Sequence, residues 1–124
     1  MISYHEKIIR PLVIILISLS PLYNQAQIGN VDLGTGAGAS MSSGDYNTII
    51  GDSAATNMSY SLENVMIGRR AGFNINESTI SQANYNVFIG ADAGYNNTTA
   101  DENVYIGHLS GYSNLTGTDN VFIG

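Results

Sequence analysis

The chain has 124 residues, enough for one small domain, and an apolar content of 44% that supports a packed core. Charged residues make up only 11%, well under the roughly 25% of an ordinary globular protein, and Gly, Asn, Ser and Thr, the residues of tight turns, take their place. The absence of cysteine excludes disulfides, thiolate metal sites and a cysteine-borne lipid anchor, and a net charge of −6 makes nucleic acid or an anionic membrane a poor partner.

Residues 1–26 read as a signal peptide. Lys7 and Arg10 precede the apolar run Leu12-Val13-Ile14-Ile15-Leu16-Ile17-Ser18-Leu19, and Pro21, Asn24, Gln25 and Ala26 follow it. The run is shorter than the ~20 residues of a spanning helix, so the mature chain is expected not to span the membrane. Export to the extracellular space or the cell surface follows, with cleavage after Ala26. Past residue 30 only Arg69 and Arg70 are cationic.

From residue 30 onward one motif recurs. Asn47-Thr48-Ile49-Ile50-Gly51 returns as Asn64-Val65-Met66-Ile67-Gly68, Asn86-Val87-Phe88-Ile89-Gly90, Asn103-Val104-Tyr105-Ile106-Gly107 and Asn120-Val121-Phe122-Ile123-Gly124. Asn30-Val31-Asp32-Leu33-Gly34 is a degenerate first copy. The closing glycines at 34, 51, 68, 90, 107 and 124 are spaced by 17, 17, 22, 17 and 17, the long step carrying an insertion of five around Ser78 to Asn84. Three residues after each glycine stands Ala37, Ala54, Ala71, Ala93 or Ser110, then Gly38, Ala55, Gly72, Gly94 or Gly111, and in three copies Phe73, Tyr95 or Tyr112.

Such a segment is too short to be a stable strand alone, and no helical periodicity separates one copy from the next. A period of 17 with one clear strand fits one coil of a parallel β-solenoid or β-roll, of about six coils, over residues 27–124. The expected fold class is therefore all-β. Alternation puts Val and Ile of each motif on one face, expected to be the inner core, and Met66, Phe88, Tyr105 and Phe122 on the other. Two readings of that aromatic stripe stand: an exposed face that associating chains bury as their interface, or a face covered by the chain's own coil. The Asn column Asn30, Asn47, Asn64, Asn86, Asn103 and Asn120 likewise reads either as an amide ladder or as six separate Asx turns. The Ala-Gly pairs mark tight turns or close backbone approach.

Asn-Val-Phe-Ile-Gly followed by Ala-Gly-Tyr and an Asn/Thr-rich stretch resembles the head repeats of trimeric autotransporter (YadA-like) adhesins and related secreted bacterial repeat proteins. The resemblance covers residues 30–124. It implies a left-handed parallel β-roll, a homotrimer, and cell adhesion through a repetitive face toward an extracellular-matrix or carbohydrate ligand. The 17-residue repeat is longer than that family's usual one. No heptad stalk or anchoring barrel follows, and the chain stops on a motif glycine, as a fragment or an end covered by a partner would.

Residues for chemistry are sparse, so the expected role is non-catalytic, without cofactor or metal. His108, beyond Gly107, has no second histidine or acidic partner near it in sequence to make a triad or ligand set. Gly34-Thr35-Gly36-Ala37-Gly38-Ala39 imitates a dinucleotide fingerprint without the helix that it requires. Asp45, Glu63, Asp101, Glu102 and Asp119 would line one edge of stacked coils, where Ca²⁺ or simple solvation are the alternatives. A secreted polysaccharide lyase of β-helix type is the alternative function; it requires clustered Asp, Lys and Arg, whereas Arg69 and Arg70 would point to opposite faces of an extended chain. Ice binding would require a regular threonine column, and Thr98, Thr99 and Thr116 do not form one.

Overall fold

The computed structural model describes residues 28–75 and 82–124; the expected signal peptide lies outside the described residues. Six three-residue strands, β1 (Val31–Leu33), β2 (Thr48–Ile50), β3 (Val65–Ile67), β4 (Val87–Ile89), β5 (Val104–Ile106) and β6 (Val121–Ile123), form one parallel sheet in sequence order. Each strand belongs to one coil of a β-solenoid of about five turns, and no helix occurs among the described residues.

The register is that of the motif. Val65 pairs with Val87, Met66 with Phe88 and Ile67 with Ile89, although the intervening step is 22 residues rather than 17. The extra residues fall between Ile75 and Ala83, largely outside the described residues, and the hydrogen bonds on either side are the ordinary ones. Val65 N donates to Asn86 O at 2.8 Å, and Gly90 N to Ile67 O at 2.8 Å. The five-residue difference leaves the strand pairing untouched, because each strand is aligned by its own Asn and Gly.

The strand faces are the reverse of those expected. Ile49, Met66, Phe88 and Tyr105, the middle residues of β2 to β5, are fully buried, while the flanking Val and Ile residues are half-buried or exposed. Two constraints explain this. Period-two alternation puts the motif Asn and the middle residue on the same side, and the buried Asn ladder holds that side inward. The lumen is also narrow, closed by the buried Ala54, Ala71 and Ala93 of the second element, and takes one large side chain from each strand. Single residues from the next turn, Met41, Met58 and Ile75, complete the core.

Column pairs are matched in size. A Cβ on Gly72 would lie 2.8 Å from Met66 Sδ, and one on Gly94 or Gly111 would overlap the Phe88 or Tyr105 ring. Where the core residue is Ile49, the equivalent position holds Ala55 instead. The rings stack: Phe88 on Tyr105 at 4.6 Å between centroids, and Tyr105 on Phe122 at 5.0 Å.

The closing glycines stack closely on one another, backbone against backbone. Gly68 has φ 133°, and an added Cβ would come within 2.6 Å of the Gly90 carbonyl carbon. Relief would require separating backbones that are hydrogen-bonded one coil apart. Gly68→Ala should therefore destabilise the fold by about 2–4 kcal/mol, read as a lower midpoint in chemical denaturation followed by circular dichroism.

Candidate functional site: the columns of the coil

The Asn column forms the amide ladder, one of the two readings that its sequence allowed. Asn64 Nδ2 donates to Asn47 Oδ1 at 3.1 Å, Asn86 Nδ2 to Asn64 Oδ1 at 3.2 Å, Asn103 Nδ2 to Asn86 Oδ1 at 3.2 Å, and Asn120 Nδ2 to Asn103 Oδ1 at 3.0 Å. The chain begins at Asn30, whose Oδ1 accepts from Asn47 Nδ2 at 3.3 Å. Each Oδ1 also takes the next motif's backbone N–H, as Asn64 Oδ1 does from Asn86 N at 2.9 Å. Each Nδ2 further reaches a backbone carbonyl at a corner: Asn47 to Ser61 O at 2.8 Å, Asn86 to Ala100 O at 2.9 Å. An amide is needed because one group must donate and accept along the same line.

Asn30, Asn47, Asn64, Asn86, Asn103 and Asn120 thus align the coils, and Gly34, Gly51, Gly68, Gly90, Gly107 and Gly124 let them approach. These residues are architecture. Of the candidate interface, Met66, Phe88 and Tyr105 are fully buried within the chain itself, so they cannot line an exposed stripe; Phe122, on the last described coil, is 40% exposed but continues the same inner stack. The outward columns are instead aliphatic: Val65, Val87, Val104 and Val121 on one line, Ile50, Ile67, Ile89, Ile106 and Ile123 on the other, aligned by the strand register.

The two arginines meet one aspartate. Arg69 Nη2 lies 3.0 Å from Asp92 Oδ2, and Arg70 Nε lies 2.8 Å from Asp92 Oδ1, with the Arg70 guanidinium 5.2 Å from the centroid of Tyr95. The two arginines were expected on opposite faces; they converge because Arg70 is left-handed, φ 55°, and the chain is not extended there. His108 is exposed just past β5. The expected carboxylate edge is put to other uses. Asp45 Oδ1 accepts from Ile28 N at 2.8 Å and Asp101 Oδ1 from Asn84 N at 2.7 Å, and no group of three potential metal ligands occurs among the described residues.

Tyr105 brings a polar group into the lumen. Its hydroxyl accepts from Asn114 Nδ2, and burial pushes its pKa up. Asn97, on the coil of Phe88, and Asn114, on the coil of Tyr105, stand where earlier coils have Met41, Met58 and Ile75, so the core turns polar around the tyrosine. That covariation between columns was a sequence signal for the inward ring, and the alternation of Gly and Ala opposite ring and Ile was another.

On the outer surface, the residues six positions past the closing glycines make a second amide column. Asn57 Nδ2 donates to Asn74 Oδ1 at 3.5 Å and Asn74 Nδ2 to Asn96 Oδ1 at 3.1 Å. With Ser40, Thr98 and Leu115 they line an open groove of about 600 Å³. One residue earlier on each coil runs a second ring stack, Phe73 on Tyr95 and Tyr95 on Tyr112, both at 5.2 Å. The sequence hides this amide column, because the equivalent positions of the first and fifth coils, Ser40 and Ser113, are serines. Comparison with known proteins finds no family model, no curated protein and no solved structure that this chain matches.

Two predictions follow from the ladder and its edge. Removing the Asn86 amide strands the Asn103 N–H and the Ala100 carbonyl in the interior; Asn86→Ala should cost about 3–5 kcal/mol, well above the same change at the exposed Asn57. Glu102 is bonded to Asp119 and repelled by it, which raises its pKa above the ordinary 4.5. A raised carboxyl binds its proton more tightly folded than unfolded, so this group weakens the fold at neutral pH, and the deficit disappears as pH falls through the raised value. Glu102→Gln should therefore melt higher than the native chain at pH 7, with the gap closing toward about pH 4 in parallel thermal scans.

Proposed function

We propose that this chain is a secreted or surface-displayed, non-catalytic structural module, adhesin-like in role, that presents a repetitive face and works as a homotrimer. The observation that carries the reading is the outward sheet face. Half-buried and exposed Val and Ile residues stand in two columns, one coil apart, from β3 to β6. Ile106 is 38% exposed and Val121 66%. A continuous aliphatic strip on a flat parallel sheet is what soluble monomers avoid and what associating chains bury. The interface assigned to the ring stripe from sequence therefore moves to the Val and Ile columns, and the rings become the reason that each chain is rigid enough to associate.

The acidic, Asn- and Thr-rich character of the remaining surface suits an extracellular-matrix or carbohydrate ligand, in keeping with the adhesin-head resemblance of the motif. The lyase alternative requires unpaired cations beside a carboxylate, whereas Arg69 and Arg70 are both engaged by Asp92.

Light scattering on the purified chain should give three chain masses. Val87→Lys, which places a charge in the middle of the aliphatic strip, should reduce the particle to one chain mass while keeping the β signal in circular dichroism. A folded monomer of the native sequence would reject the homotrimer.

A further inference from the structure

The groove beside the outer amide column is a second, chemically distinct surface. Among the described residues its lining is Ser40, Asn57, Asn74, Asn96, Thr98 and Leu115, none of them ionisable, in a chain of net charge −6. We propose that this groove binds a neutral polysaccharide lying along the solenoid axis. The proposal names the ligand for the presenting role described above, and rests on that reading.

The chemistry of the lining selects hydroxyl-rich ligands. A side-chain amide has two N–H groups and two acceptor positions on its oxygen. In the outer ladder Asn74 uses one of its N–H groups on Asn96 and one acceptor position on Asn57. A donor and an acceptor therefore remain side by side, which is what a sugar hydroxyl, donor and acceptor at once, requires. Thr98 Oγ1 spends its hydrogen on Leu115 O at 2.9 Å and keeps acceptor capacity. Leu115, 54% exposed, gives an apolar wall for the C–H faces of a sugar ring.

Repetition and rigidity reinforce this. Parallel coils repeat about every 4.8 Å, so successive amides offer the same pair of contacts at a spacing comparable to one sugar of an extended glycan. The amides are held in place before any ligand arrives, since Asn74 N donates to Tyr95 O at 2.9 Å and Asn96 N to Tyr112 O at 3.3 Å. Preorganised contacts lose little entropy on binding. A volume of about 600 Å³ lies within the ordinary range for ligand sites.

Other ligand classes fit less well. An extended peptide adding as a strand requires free backbone groups, yet the backbone N–H groups of Asn57, Asn74, Asn96 and Thr98 already bond to the next coil. A sulfated or phosphorylated chain requires cations that the groove lacks.

The test uses the full chain in affinity electrophoresis through gels containing soluble β-glucan, mannan, galactan or xylan, with alginate, heparin and a denatured collagen peptide as comparators. The native chain should be retarded by at least one neutral polysaccharide. Thr98→Trp fills the groove from a half-exposed position without touching the ladder, and Asn74→Ala/Asn96→Ala removes its hydrogen bonds; each should weaken retardation about tenfold or more, the equivalent of one good hydrogen bond. Circular dichroism and particle mass, unchanged in Thr98→Trp, separate loss of the site from loss of the fold. Retardation by none of the neutral polysaccharides, by charged polymers or the peptide alone, or equally in Thr98→Trp, would overturn the proposal. Retardation by a monomeric native chain would uphold the groove while rejecting the homotrimer.

Discussion

Every equivalent residue in this molecule stands over its counterpart one coil away, and the structure depends on keeping that alignment. The Asn ladder enforces it. Each amide takes a backbone N–H and an amide N–H from one neighbouring coil while giving hydrogens to the other neighbour and to corner carbonyls. A slip of one residue would turn the buried amides outward and leave interior carbonyls and N–H groups unpaired, a cost of several kcal/mol per coil. The 22-residue step shows how firmly this works, since β3 and β4 pair in the same register as strands 17 residues apart.

Alignment then sets the terms for packing. A narrow lumen with one large side chain from each strand is stabilised along the axis, by ring on ring where the strands carry rings. Across the lumen the opposing residue must shrink when the core residue grows, as at Gly94 opposite Phe88 and Ala55 in the coil of Ile49. The same demand governs the backbone. Between Gly68 and β4 the chain takes positive φ at Gly68, Arg70, Gly72 and Tyr85, and the non-glycine members cost roughly 1–2 kcal/mol each. Those conformations are offset by the inter-coil bonds that they aim, such as Arg70 N to Asp52 O at 2.9 Å.

With the interior committed to alignment, only the outer columns are free to vary in chemistry. They divide into an aliphatic sheet face, an acidic edge at Asp101, Glu102 and Asp119, and the Asn-lined groove. A repeat scaffold of this kind turns a single residue choice into a stripe, because each choice is copied at one coil spacing. Affinity for a partner is then spread over many weak, equivalent contacts rather than concentrated in one pocket, which suits a presenting role.

The repeat period, the strand positions, the parallel stacking and the Asn column were all legible in the sequence, because they are properties of spacing, and spacing is written in the order of residues. Which strand face was inside was not legible in hydrophobicity, and only the small residues matched to the rings, such as Gly94 and Gly111, carried a signal of it. Val and Ile on one side and Phe or Tyr on the other are both apolar, and hydrophobicity alone ranks neither inward. The lumen width decided it, and that width is set by Ala54, Ala71 and Ala93 on the far wall, brought opposite the strands only by the completed coil. The convergence of Arg69 and Arg70 on Asp92 and the groove along Asn57, Asn74 and Asn96 have the same origin. They join residues 17 to 23 positions apart whose side chains point together only after left-handed turns have set their direction.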